Sequence, residues 1–213
     1  MNAISPTAAK LAVPTHYRLR PLIEYDVYPE DPNFPGVTVS PKRRRIPDDI
    51  YAEMVRDTVV CCADLACLVE NKDGTVRPEF LLARRVEWPM PGVWVYGGRH
   101  FPDLHDPKDG LATVMKREIG LTIDPDRFAA LRLNYYAWNK VAQGDFPGRN
   151  GVLTFGCVIS EEEADAIVPN EEYVPGSVRR YTLDDLEHEV RHNNGHPMLP
   201  RLLGFAMSAL ERI

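Results

Sequence analysis

Three kinds of apolar pattern alternate along the chain. Thr58 to Val69 is almost continuously apolar and rich in Val and Cys, the pattern of a strand buried on both faces. Asp64 interrupts that run, either as a structural acid with partners of its own or as a binding group. Asn71-Lys72-Asp73-Gly74 reads as a hairpin turn and Glu79 to Arg85 as the return strand. Arg84 and Arg85 close that strand and, at a period of two, point to opposite faces. Val93 to Tyr96 is a short β-branched and aromatic strand that Gly97-Gly98 break. Ala129 to Trp138, Gly151 to Ile159 and Val178 to Tyr181 complete the strands of the main body.

Helical spacing appears between them. Asp106-Pro107 or Asp109 caps a helix carrying Leu111, Val114, Met115 and Glu118, and Gly120 ends it. Pro47-Asp48-Asp49 opens another that runs to about Arg56. Ser160-Glu161-Glu162-Glu163 has a capping-box pattern, and Thr182-Leu183-Asp184-Asp185-Leu186 starts a late helix. Leu199 to Ile213 reads as one closing amphipathic helix. The order suits an α/β (α+β) domain with a mixed sheet sandwiched between helices, in α/β/α layers. Residues 46–213 form that domain. Residues 1–45 read as an arm with possible strands at Tyr17 to Arg20 and Ile23 to Tyr28, broken by Pro29, Pro32 and Pro35. Lys42-Arg43-Arg44-Arg45 within it is a solvated loop or a patch that faces phosphate.

Composition narrows the function. The net charge of -6 over 213 residues argues against a general binder of nucleic acid or of an anionic membrane surface. No long apolar run marks a membrane span, and Met1 to Lys10 has no apolar core of a secretion signal, so a cytoplasmic protein is expected. Cys61, Cys62, Cys67 and Cys157 fall in expected core strands at no zinc-binding spacing, and are read as buried reduced thiols. His188, His192 and His196 are read as surface groups.

Glu118 is out of place in its helix. It follows Val114 by four and Leu111 by seven, so it shares their inward stripe. One reading is a half-exposed acid that reaches solvent or Arg99. The other is a metal ligand that faces the Gly97-Gly98 turn. The stretch Gly97-Gly98 to Glu118-Ile119-Gly120-Leu121, with a strand before and a helix within, resembles the Nudix box of pyrophosphate-cleaving hydrolases. The match is partial. Gly120 and Leu121 fit, and Glu118 is the second Glu of the family's Glu pair, but Arg117 replaces the first. Thr113 and Val114 stand where Arg-Glu is expected, and the upstream Glu is lost to Leu104 or His105. Val69-Glu70-Asn71, Phe80 to Arg85, Pro91 to Trp94 and Gly97 to Arg99 look most like the GDP-mannose mannosyl hydrolase branch, and the likeness covers roughly Ile46 to Leu186.

The resemblance implies a Nudix fold and a hydrolase acting on a nucleotide or nucleotide sugar with Mg2+, Mn2+ being an alternative. It implies Glu118 and the Gly97 carbonyl as metal ligands and Gly98 at the diphosphate, with Arg85 and Arg99 holding the diphosphate and Arg99 acting catalytically by helping the leaving group depart. A single-metal site of this kind cleaves the sugar C–O bond in that branch. The branch's Gln-His pair has no counterpart at Arg149-Asn150. His100, His105 and Asp145 are therefore the base candidates, each of which is otherwise a solvated loop residue. Trp88 is a stacking group for a base or sugar, or a hydrophobic plug. Thr113, Val114 and Arg117 disfavour a multi-metal pyrophosphohydrolase and leave open a binding module that has lost catalysis. The apolar and aromatic arm suggests a homodimer.

Overall fold

The computed structural model describes residues 15–24, 53, 56, 59–86, 91–99, 106–138, 147–193 and 195–213. The long apolar run forms strand β2, Val59–Glu70, and its return partner is β3, Val76–Arg85. The turn between them is closed by the Gly74 amide donating to the Asn71 carbonyl at 2.8 Å, with Gly74 at φ 71°. β6 (Ala129–Trp138) and β7 (Gly148–Ser160) pair antiparallel, and β7 runs parallel to β2 over their whole length, from Val59↔Arg149 to Glu70↔Ser160. One parallel pair among antiparallel ones makes the sheet mixed. Its seven strands run β4 (Gly92–Trp94), β3, β2, β7, β6, with β5 (Tyr96–Arg99) added to β2 and β8 (Arg179–Thr182) to β3.

Period-two alternation along β2 divides the core. Ala66 and Leu68 join Phe80 and Leu82 on one face. There they meet Leu186 of α3 (Leu183–His192) and Leu199, Leu202 and Ala206 of α4 (Met198–Ala209). Leu65, Cys67 and Val69 face the other way, onto Leu111, Val114, Met115 and Ile119 of α1 (Pro107–Ile119). Helices thus cover both faces, as the pattern of the sequence requires. The short α2 (Glu161–Asp165) has the expected capping box between Ser160 and Glu163, and Thr182 and Asp185 make a second one at the start of α3.

Three expectations are corrected. The single strand Val93 to Tyr96 is two strands that part at Val95: β4 (Gly92–Trp94) pairs with β3, and β5 (Tyr96–Arg99) pairs with β2. Gly97-Gly98 therefore lie inside β5 rather than at a turn, with Gly97 opposite Asp64 and Gly98 opposite Ala63. The closing helix stops at Ala209. Leu210–Arg212 turns into a strand, β9, and pairs antiparallel with β1, Tyr17–Leu19. That pairing satisfies backbone groups that an edge strand would leave open. Leu19 carries β1 into the core, where it is 4% exposed. Finally, only Cys67 and Cys157 are buried, side by side across β2 and β7, whereas Cys61 is exposed and Cys62 half-buried near the start of β2. Glu53 and Arg56 are helical, but the rest of the expected helix from Pro47 lies outside the described residues, as do Lys42 to Arg45 and the expected strand beyond Glu24.

Candidate functional site

Local chemistry fixes α1 at both ends. The Asp106 side chain accepts from the Lys108 amide at 2.8 Å, Pro107 takes the first turn, and Gly120 caps the helix at φ 70°. With those ends set, the inward stripe includes Glu118, which is 1% exposed rather than half-exposed. Its two oxygens are both engaged. The Tyr173 hydroxyl donates to Oε2 at 2.7 Å and the Arg117 guanidinium to Oε1 at 2.9 Å. Burial raises its pKa above the ordinary carboxylate value, opposed by the Tyr173 hydrogen bond and reinforced by the nearby charge of Glu172.

A second buried carboxylate is near enough to feel the charge of Glu118, although the alternation of β2 turns it to the face of Ala66 and Leu68, away from α1. Asp64 is 6% exposed, and its pKa is raised to about 7, first by burial. The Arg85 guanidinium lowers it, the Glu118 charge raises it, and a hydrogen bond from the Trp94 side chain lowers it. The glycine across the ladder makes room for this acid. Gly97 has φ 144°, and a Cβ there would lie 2.4 Å from the Ala63 carbonyl oxygen and 2.8 Å from Asp64 Oδ1. Only glycine fits that position.

Arg85 completes the group. Its side chain is 16% exposed and meets Glu172 at a loose 3.6 Å, and its buried Nε has no hydrogen-bond partner. The 168–174 segment brings Glu172 and Tyr173 to these positions. The Val168 and Asn170 amides donate to the Ile119 and Glu118 carbonyls at 3.0 and 2.7 Å, and the Val174 amide donates to the Arg84 carbonyl at 2.8 Å. Tyr96, whose buried hydroxyl also has no partner, lies with its ring 5.9 Å from that of Tyr173. His196, expected at the surface, is half-buried instead. Its ring packs edge-on against Trp94 at 5.2 Å and Tyr136 at 5.1 Å, and burial lowers its pKa.

The structure thus places Glu118 and Arg85 on the α1 side of the sheet, with Tyr173 and Glu172, and Asp64, opposite Gly97 in the ladder, on the face of Ala66 and Leu68. Asp64, which the sequence leaves open between a structural and a binding role, is buried with a raised pKa, and Tyr173, which no expectation named, holds Glu118. An acid in the middle of an otherwise apolar strand was the signal for the first. Nothing in the sequence pattern marks Tyr173, which is 55 residues from Glu118. Gly98 and Arg99 continue β5 opposite Ala63 and Cys62. His100, His105, Asp145 and Trp88 lie outside the described residues, as does the Arg99 side chain. A separate cleft of about 600 Å3, lined in part by Arg18, Arg20, Lys108 and Arg127, contains none of the expected residues.

The oxygen donors suit a hard divalent ion. A buried carboxylate, Glu118, and a glycine carbonyl match the preference of Mg2+ or Mn2+. Among the described residues no group of three or more His, Cys, Asp and Glu side chains is placed to hold a metal. A metal here would therefore take its remaining ligands from backbone, water or substrate.

No family model matches the sequence, and no curated protein matches it. Solved structures do. The Nudix domain of NrtR from Shewanella oneidensis, in complex with ADP ribose, aligns over 71% of this chain and 88% of its own, with 12% identity and a TM-score of 0.51. A C. elegans Ap4A hydrolase in a binary complex aligns over 70% of this chain and 96% of its own, with 15% identity and a TM-score of 0.50. The chain has the Nudix fold. A MutT/nudix family protein from Enterococcus faecalis, at 16% identity and a TM-score of 0.44, matches 59% of this chain, which spans 44% of that protein's length. Within the Nudix fold of this chain, α1 presents one buried acid, Glu118, where the family box would supply several. Val114 packs in the core, and the Thr113 hydroxyl donates to the Asp109 carbonyl at 3.0 Å. Among the described residues no helix is long and apolar enough to cross a membrane.

Proposed function

We propose that this chain is a Nudix-type hydrolase of a nucleoside diphosphate derivative, a nucleotide sugar in particular, with a single Mg2+ or Mn2+ site. The observation that carries the reading is Glu118, buried on α1 and held by Tyr173, on the same side of the sheet as an Arg85 whose Nε is unpaired. Glu118 and the Gly97 carbonyl would hold the ion. Bound there, a divalent ion supplies neutralisation and orientation of the diphosphate. Arg85, held only loosely by Glu172, is free to exchange that carboxylate for phosphate oxygens, and Arg99 would join it from β5. Tyr173 fixes the rotamer of Glu118, and Trp94 and Arg85 fix Asp64. The base would come from His100, His105 or Asp145.

A second reading, a Nudix-fold module that binds a nucleotide without turning it over, is favoured by one observation. Both oxygens of Glu118 already have partners, Tyr173 and Arg117. A screen of nucleotide sugars, dinucleotides and free nucleotides with Mg2+ and Mn2+ separates the two. Release of nucleoside diphosphate and free sugar is expected, with Glu118→Gln lowering turnover by roughly 100-fold while the fold persists. Nucleoside monophosphate and sugar phosphate would instead mean attack at phosphorus. Ligand-induced thermal stabilisation with no product under any divalent ion would establish the binding module.

A further inference from the structure

α3 carries the sequence His188-Glu189-Val190-Arg191-His192, two histidines four apart with a glutamate after the first. On a helix this spacing puts both imidazoles on one face, an arrangement that chelates a transition metal. The structure realises it. His188 and His192 are both exposed, and their rings lie 4.7 Å apart between centroids at 48°. We propose that His188 and His192 form a second metal site, selective for Zn2+ and similar imidazole-preferring ions and separate from the Mg2+-type site at Glu118.

The surroundings favour a cation there. His192 lies in the last turn of α3, where the helix carbonyls carry partial negative charge. Arg191, the cation nearest in sequence, is tied to Glu187 on its own helix. Asp184, one turn before His188, is exposed in the first turn of the helix. Two ring nitrogens at about 2.0–2.1 Å from one tetrahedral ion stand roughly 3.3 Å apart. Exposed rings already side by side reach that separation by side-chain rotation alone, without moving backbone. Imidazole suits Zn2+, Cu2+ and Ni2+, whereas Mg2+ prefers oxygen, so the two sites divide metals by ligand chemistry.

The same geometry limits what the site does. In zinc peptidases with this spacing the glutamate serves as general base at the metal-bound water. Here Glu189 is turned into the protein, 2% exposed, with Arg84 on Oε1 at 2.8 Å and Arg179 at 3.9 Å. A carboxylate held there cannot reach a water on the outer face. The pair is therefore a binding site with two open positions for water or an outside ligand, and not a peptidase centre.

Zn2+ titration of the full chain by calorimetry, in saturating Mg2+, tests this. One Zn2+ per chain is expected, with affinity falling roughly 10-fold or more in either His188→Ala or His192→Ala. Both side chains are exposed, so the folds should be intact, as far-UV circular dichroism would verify. Cu2+ should selectively broaden NMR signals of residues 184–192. Zn2+ affinity unchanged in both variants, no Zn2+ binding at all, or Cu2+ broadening confined to another part of the chain would each overturn the assignment.

Discussion

Arg84 and Arg85 are consecutive on β3, but the charges around them balance differently. Arg84 faces α3 and, with Arg179, meets one buried acid, Glu189. Arg179 also meets Asp185 at 3.5 Å, so two cations face two acids, and the guanidinium of Arg84, 35% exposed, still touches water. Arg85 faces the other side, where among the described residues it meets Glu172 and Glu118 is paired with Arg117, and the charge of Arg85 also reaches the buried Asp64. A cluster short of positive charge in a dry setting must take up protons, admit a cation or come apart. On the Arg84 side the charges are matched, although Glu189 Oε2 is buried with no hydrogen-bond partner. The contrast separates an ion pair that ties a helix to the sheet from an arrangement that is incomplete until something binds.

The largest expected effect lies on the Arg85 side and is read through pH. The Asp64 carboxyl titrates at about 7 in the folded chain, against an ordinary value of 3.8. The folded chain keeps this proton over a range in which the unfolded chain loses it. Its contribution to stability is thus fully present below about pH 4 and is lost as pH rises through about 7. The loss is on the order of 4 kcal/mol. Glu118, raised in the same direction, adds with the same sign. Urea unfolding at about pH 4 and about pH 8 should show most of the fall, and Asp64→Asn should flatten it. A wild-type curve as flat as that of Asp64→Asn would mean that Asp64 is ionised at neutral pH and that Arg85 neutralises it.

On the Arg84 side the expected effect is smaller and independent of ligand. Glu189→Ala strips the partner from Arg84 and Arg179 and costs about 3 kcal/mol. That lies at the low end for a broken buried pair, because Arg84 can turn to solvent. Equilibrium denaturation measures it. A cost below about 1 kcal/mol would put Glu189 among the weak surface pairs and erase the contrast between the two sides.

The strands and helices of this chain were largely legible in the sequence because burial repeats at local periods. β2, β3, β6, α1 and the capping boxes follow from patterns within a dozen or so residues. The errors have a common origin in long-range pairing. Val93 to Tyr96 splits because its two halves serve different neighbours, β3 and β2, and the last helix yields its end to β1, which is about 190 residues earlier in the chain. The site follows the same rule. Glu118 was visible because it violates its own helix pattern. Asp64 violated a strand pattern, but its meaning depends on facing Gly97, which local reading had placed in a turn. Tyr173 and Glu172 sit in an irregular segment and gain their roles only from backbone bonds to Glu118, Ile119, Arg84 and Val86.

The smallest expected effect tests whether the group around Arg85 is a binding arrangement at all. Glu172 reaches Arg85 at 3.6 Å with its own side chain 36% exposed, a pair too long and too wet to contribute much stability. If the Arg85 guanidinium is held for an anion, Glu172 is the group that must give way, and its charge opposes any phosphate that arrives. Glu172→Gln should then tighten binding of a nucleoside diphosphate by roughly 3-fold at low salt, with stability changed by less than about 0.5 kcal/mol. Arg85→Ala should weaken the same binding, and added salt should shrink the difference between wild type and Glu172→Gln. Weaker binding in Glu172→Gln would give the opposite assignment, with Glu172 itself holding a metal or a sugar hydroxyl, and Arg85 would then serve to keep Asp64 in place rather than to meet phosphate.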